Sequence, residues 1–187
     1  MTISSKRSLA RKNRHDPTKS LVGFVVADVG YAVPIARVKE IVNPMPVVPV
    51  PHAPAQVVGV ADYRGEIVPV VDLRVRFGLA GAAGGAPGSV HATRSKWVIV
   101  DVTGRLVALL VDAVTEVFGT GGMDLRPTPT LGGGEDARGF AGVFNYAGAL
   151  VFVLDTARLS DLVDPLVKAG RLGASSKPPG LPQGSST

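Results

Sequence analysis

Apolar residues fall in short, β-rich runs broken every five to eight positions by glycine, proline or a polar pair, which is a strand pattern. From Leu21, "FVVAD" and "YAVPI" read as a hairpin turning at Val29-Gly30, with Tyr31, Val33 and Ile35 on one face and Pro34 near a strand edge or end. "ARVKEIV" then has the spacing of one or two helical turns. "NPMPVVPVPHAP" carries too many prolines for helix and must be extended. "GVAD" and "EIVPVVD" follow as strands around Tyr63-Arg64-Gly65, where Gly65 supplies the backbone freedom of a tight turn.

The order then repeats. "WVIVDVTGRLVALLVDAVTEVF" gives two strands around Thr103-Gly104 and a second helical turn, "VDAVTEV", which matches "IARVKEI" in setting Val and Glu two apart. "GVADYRGEIVPVVD" (59–72) returns as "GVFNYAGALVFVLD" (142–155), with Gly148 in the place of Gly65. Each half is thus strand, strand, helical turn, extended piece, strand, strand, and two related small barrels account for the duplication. The prediction is an all-β domain over 21–168, with a first barrel at about 21–78, a flexible Gly/Ala connection at 79–89 and a second barrel at about 90–158. A C-terminal helix is expected at about 156–168, from Leu159, Leu162, Val163 and Leu166 at helical spacing and a cap at Asp155 or Thr156. Half-units of this size bury little core alone, so the halves should pack on each other.

Composition narrows the partners. The net charge of +5 resides in the first twenty residues, where Lys6, Arg7, Arg11, Lys12, Arg14 and Lys19 face a single acid, Asp16; the remainder is balanced. A basic arm on a neutral body does not make a broad phosphate-tracking surface. The arm reads as a solvated, disordered segment, as does the Pro/Gly/Ser tail at 169–187. The absence of cysteine removes disulfides, thiolate metal sites and cysteine nucleophiles, and no apolar run reaches the length of a membrane span.

Catalytic chemistry is not visible. His15, His52 and His91 are scattered, without metal-ligand spacing. The glycine clusters at 119–122 and 132–134 do not lead from a strand into a helix, as a phosphate loop does. No G-x-S-x-G occurs. Asp72 and Asp155 close the repeated strands as caps or turn residues, and their symmetry explains them without a reaction. A nucleic-acid-binding barrel would need exposed aromatic rings, and the chain has one Trp, Trp97, and few other ring side chains.

The clearest difference between the halves is Arg64, which becomes Ala147 while Glu40 is kept as Glu116. Arg64 is then either an ordinary exposed turn residue or a guanidinium held by Glu40 at the cleft between barrels, ready for a partner's polar edge. Val38, Val114 and Val117 would floor that cleft, or simply pack in the core.

The runs "GYAVPIARVKEIV", "PHAPAQVVGVADYRGEIVPVVDLRVRFG" and "VIVDVTGRLVALLVDAVTEV" resemble the CheW-like chemotaxis coupling family over roughly Leu21 to Leu166. The resemblance implies two intertwined five-stranded SH3-like barrels and a cytoplasmic adaptor that is no enzyme and takes no cofactor, metal, small-molecule substrate or nucleic acid. Its implied partners are the cytoplasmic tip of methyl-accepting chemoreceptors and the regulatory domain of a CheA-type histidine kinase, joined in signalling arrays; a gliding, pilus or gene-regulation output is the alternative. Receptor contact is implied for Val38, Glu40, Gly59, Arg64, Val114 and Val117, and kinase contact for Ile41, Val42 and Val47. The family's usual Asn-Leu-Arg-Gly is here Asp62-Tyr63-Arg64-Gly65, so Asp62 is expected to compete with Glu40 for Arg64. A chain of this length leaves no room for a receiver domain and implies a stand-alone adaptor.

Overall fold

Four two-residue turns set the register of the molecule. Ala27-Asp28, Arg64-Gly65, Thr103-Gly104 and Ala147-Gly148 each have two consecutive positive φ angles, from 50° to 89°, the signature of the type I′ turn that suits twisted hairpins. At three of them an acid or amide two residues ahead of the turn accepts the glycine N–H: Asp62 from Gly65 (2.7 Å), Asp101 from Gly104 (3.0 Å) and Asn145 from Gly148 (3.1 Å).

The computed structural model describes residues 20–79, 95–119, 125–128 and 139–161. The expectations for the basic arm, most of the 79–89 connection, most of the glycine clusters, His15, His91 and the C-terminal tail lie outside these residues. The strands are β1 (Ser20–Val26), β2 (Val29–Pro34), β3 (Val38–Val42), β4 (Val57–Tyr63), β5 (Glu66–Asp72), β6 (Lys96–Val102), β7 (Arg105–Val111), β8 (Ala113–Gly119), β9 (Phe140–Tyr146) and β10 (Ala149–Leu154). One short helix, α1 (Leu73–Arg76), follows β5, and a 3-10 turn, Thr156–Leu159, stands in the equivalent place after β10. Of the expected C-terminal helix, only this turn and the helical residues Ser160 and Asp161 fall within the described residues.

The strands form two five-stranded sheets, ordered β8-β1-β2-β10-β9 and β3-β6-β7-β5-β4. Each sheet takes the first two strands of one half and the last three of the other, and exchanging the halves turns one order into the other. The contiguous segments 21–78 and 90–158 therefore do not correspond to the two sheets; the barrels are intertwined, joined by the parallel pairs β2–β10 and β5–β7. Tyr63, Val68, Val70, Trp97 and Ile99 fill one barrel, Leu21, Phe118, Phe144, Val151 and Val153 fill the other, and a larger cluster including Phe24, Tyr31, Leu73, Val98, Val100 and Leu109 lies between them. A unit too small for its own core thus shares one.

Two expectations are corrected. "ARVKEIV" and "VDAVTEV" are not helical turns: only Ile35–Arg37 makes a 3-10 turn, and β3 and β8 occupy the rest. Their Val and Glu residues suit either period, and pairing with β6 and β1 decides for strand. The first hairpin turns at Ala27-Asp28 rather than Val29-Gly30, because the Asp112 carboxylate accepts the Ala27 N–H at 2.7 Å and Asp tolerates the left-handed region. Gly30 lies within β2.

Candidate functional site

Glu40 and Arg64 meet across the closure of a barrel. Their strands stand at opposite ends of the β3-β6-β7-β5-β4 order, so the sheet must curl for Glu40 on β3 to reach the β4–β5 turn. A bulge between Val38 and Glu40 in the β3–β6 pairing re-aims β3 at this point. Arg64 Nη2 donates to Glu40 Oε1 at 2.8 Å and lies 2.8 Å from Oε2. The Arg64 side chain is 71% exposed and that of Glu40 35%. Arg64 Nε and Nη1 have no hydrogen-bond partner among the described residues.

Tyr63 supports the pair from beneath. Its ring is buried in the barrel core, its hydroxyl donates to Glu40 Oε2, and the Arg64 Cζ lies 5.4 Å from the ring centroid. The hydrogen bond to the carboxylate, with burial second, raises the phenol above its ordinary value. Asp62 does not compete for Arg64 as expected. Its Oδ1 is taken by Gly65 N–H, in the same place that Asp101 and Asn145 occupy at their own turns.

The other proposed contact residues are scattered by depth. Val38 and Val114, at equivalent places in β3 and β8, are half-buried against the shared core. Val117 is exposed, as is Ile41, its counterpart on β3. Val42 and Val47 pack toward the barrel interior. Gly59 is buried, and a Cβ there would strike the Val48 carbonyl oxygen and stand 2.6 Å from Val47 Cγ1; Gly142 meets Arg126 and Leu125 in the same way. Both glycines let an extended segment cross the last strand of a barrel, through the bridges Val48–Val60 and Arg126–Val143.

The second barrel closes differently. Tyr146, the counterpart of Tyr63, stacks on Phe118 with ring centroids 4.3 Å apart, and Ala147 places no charge beside Glu116. Three features were missed from the sequence. One is the Tyr63 hydroxyl, for which the only signal was Tyr at both copies of the repeat. Another is the pair of exposed apolar residues at matching positions, Ile67 and Leu150. The third is a half-buried link between the sheets: Arg74 Nε donates to Asp112 Oδ1 at 3.0 Å, Asp112 also takes the Ala27 N–H, and this carboxylate raises the Arg74 guanidinium further above its already basic value.

Among the described residues no group of three His, Asp or Glu side chains could hold a metal ion, and no helix is long and apolar enough to cross a membrane. Trp97 is 2% exposed and packs in a barrel core. The two exchanged five-stranded sheets, one carrying the Glu40–Arg64 pair at its rim and the other the Tyr146–Phe118 stack, make an all-β fold of two SH3-like barrels. The CheW-like domain model matches residues 20–164, and the chain belongs to the CheW family. It is 33% identical over 147 residues to the chemotaxis protein CheW of Rhizobium meliloti (78% of this chain, 90% of that protein). It is 34% identical over 147 residues to protein FrzA of Myxococcus xanthus (78% and 85%). The crystal structure of the scaffolding protein TtCheW from Thermoanaerobacter tengcongensis matches with a TM-score of 0.60 at 29% identity, covering 75% of this chain and 86% of that one.

Proposed function

We propose that this protein is a cytoplasmic adaptor that couples the cytoplasmic tip of methyl-accepting chemoreceptors to the regulatory domain of a CheA-type histidine kinase. Arg64, Glu40, Val38, Val114 and Val117 contact the receptor, with Gly59 shaping the strand beneath them. Ile41 contacts the kinase, and Val42 and Val47 support it from inside the barrel. The observation that carries this reading is the asymmetry of two otherwise equivalent rims: among the described residues the Arg64 turn presents a guanidinium whose Nε and Nη1 are unpaired, the matching turn carries Ala147, and both rims present exposed aliphatic residues. An adaptor needs two distinguishable surfaces and no reacting group, and works by holding two partners in fixed geometry.

Calorimetric titration of the full chain tests it, against a receptor cytoplasmic hairpin and, separately, a kinase regulatory domain. Both are expected to bind. Arg64→Ala is expected to fold normally and to lose roughly tenfold in hairpin affinity with kinase affinity unchanged. Failure of either partner to bind the wild-type chain would overturn the reading.

A further inference from the structure

An exposed Arg–Glu pair orders two long side chains weakly, because water competes for both ions and each keeps much of its rotamer freedom. Three features of Arg64 act together. It holds a left-handed backbone position, φ 56°, which an L side chain adopts at a cost; most of its side chain is in solvent; and its carboxylate partner is gripped by a third group. That group, Tyr63, is 5% exposed and packed in the core with Ala61, Val68, Val70, Trp97, Ile99 and Ala108, so its hydroxyl is delivered to the rim from an immobile ring.

The repeat separates what the fold needs at this position from what it does not. At the matching site Tyr146 closes its barrel by stacking on Phe118, and the neighbour on the turn is Ala147. In the first barrel Val42 stands where Phe118 stands in the second, and among the described residues Tyr63 makes no ring-to-ring contact. A ring at this place closes a barrel in both halves; the contact of the Tyr63 hydroxyl with Glu40 has no counterpart between Tyr146 and Glu116 among the described residues, and it is made beside the Arg64-Gly65 turn.

We propose that Tyr63 is a positioning residue for the partner-binding guanidinium. Its hydroxyl fixes the Glu40 carboxylate, its ring face supports the Arg64 Cζ, and Glu40 then holds Nη2 so that Nε and Nη1 stand ready for acceptors on the partner. Ordering of the arginine is completed on folding rather than on binding, which raises affinity without any contact between Tyr63 and the partner. Asp62 protects the arrangement, since its carboxylate is committed to Gly65 and does not draw Arg64 away.

The inference rests on the receptor-facing reading of Arg64, so its test has one arm that needs a partner and one that does not. Full-length wild type, Tyr63→Phe, Arg64→Ala and the double variant are titrated with a chemoreceptor cytoplasmic hairpin. The Arg64 Nε–Hε signal and its heteronuclear NOE are recorded by NMR without the hairpin. Tyr63→Phe keeps the ring and the packing. It is expected to weaken hairpin binding about fivefold in the wild-type background and less than about 1.5-fold in the Arg64→Ala background, the non-additivity of a residue that acts through another. It is also expected to lower the Arg64 NOE, with the thermal midpoint nearly unmoved. Equal losses in both backgrounds, or an Arg64 NOE unchanged by Tyr63→Phe, would overturn the proposal. If the wild-type chain does not bind the hairpin, the adaptor reading fails by itself, and the NOE arm alone decides whether Tyr63 orders Arg64.

Discussion

The two barrel rims start from one sequence pattern and end in different chemistry. At one, Tyr63 and Glu40 hold an exposed guanidinium; at the other, Tyr146 lies on Phe118 beside a bare methyl group and the Glu116 side chain has no hydrogen bond or ion pair among the described residues. Closure of each barrel is satisfied both ways, by a polar contact in one and by ring stacking in the other. Duplication fixes the scaffold twice, and the freedom left at the rim is where a site is built once.

Substitutions at paired positions separate the shared scaffold from the unshared site. The largest effects belong to what the halves have in common. Gly59→Ala and Gly142→Ala should each destabilise the fold by about 2–3 kcal/mol, since each added Cβ meets the backbone of the crossing segment. Equal shifts in denaturant midpoint for the two variants are expected, and a large shift in only one would break the equivalence of the barrels. Next come Ile41→Asp and Val117→Asp, at matching exposed positions. The first is expected to weaken the kinase regulatory domain roughly tenfold and spare the receptor hairpin, and the second to do the reverse, both read by calorimetry.

The strand-closing aspartates should differ in degree. Asp72 is buried and caps α1 through the N–H groups of Arg74 (2.7 Å) and Val75 (3.4 Å), whereas Asp155 accepts one, from Ala157 at 3.0 Å. Asp72→Ala should cost about 1–2 kcal/mol and Asp155→Ala about 0.5–1 in chemical denaturation. Burial raises the Asp72 carboxyl above its ordinary 3.8, against the pull of the two backbone hydrogen bonds. A raised acid binds more protons in the folded state, so its contribution is fully present below the ordinary value and declines as pH rises through the folded one. Asp72→Asn should therefore flatten the stability profile across that window.

The smallest effect is expected at the turns. Ala147→Gly should stabilise by about 0.5 kcal/mol, as relief from the left-handed conformation slightly exceeds the added unfolded-state entropy. Arg64→Gly should gain a similar backbone relief and lose the site. Arginine at that turn is kept against the local preference of the backbone.

Local signals carried most of the architecture. The alternating runs, the turns at Arg64-Gly65, Thr103-Gly104 and Ala147-Gly148, and the duplicated phrase all read directly from residue order, as did the Arg64/Ala147 contrast. What did not read depends on distant pairing. β3 and β8 became strands because β6 and β1 offered them partners, the first hairpin turned early because Asp112 lies beside Ala27, and the strand exchange between sheets leaves no mark on local periodicity. At the site, the Glu40–Arg64 contact was anticipated, and its support was not. A tyrosine looks the same in sequence whether its hydroxyl meets water or a carboxylate across a closed barrel.

The central claim is that one chain offers separate surfaces to receptor and kinase. The direct measurement is a calorimetric titration of the kinase regulatory domain into the full chain, alone and presaturated with the receptor hairpin. The account predicts a ternary complex with kinase affinity retained within about twofold. Displacement of one partner by the other, with the apparent affinity falling in proportion to hairpin concentration, would contradict it.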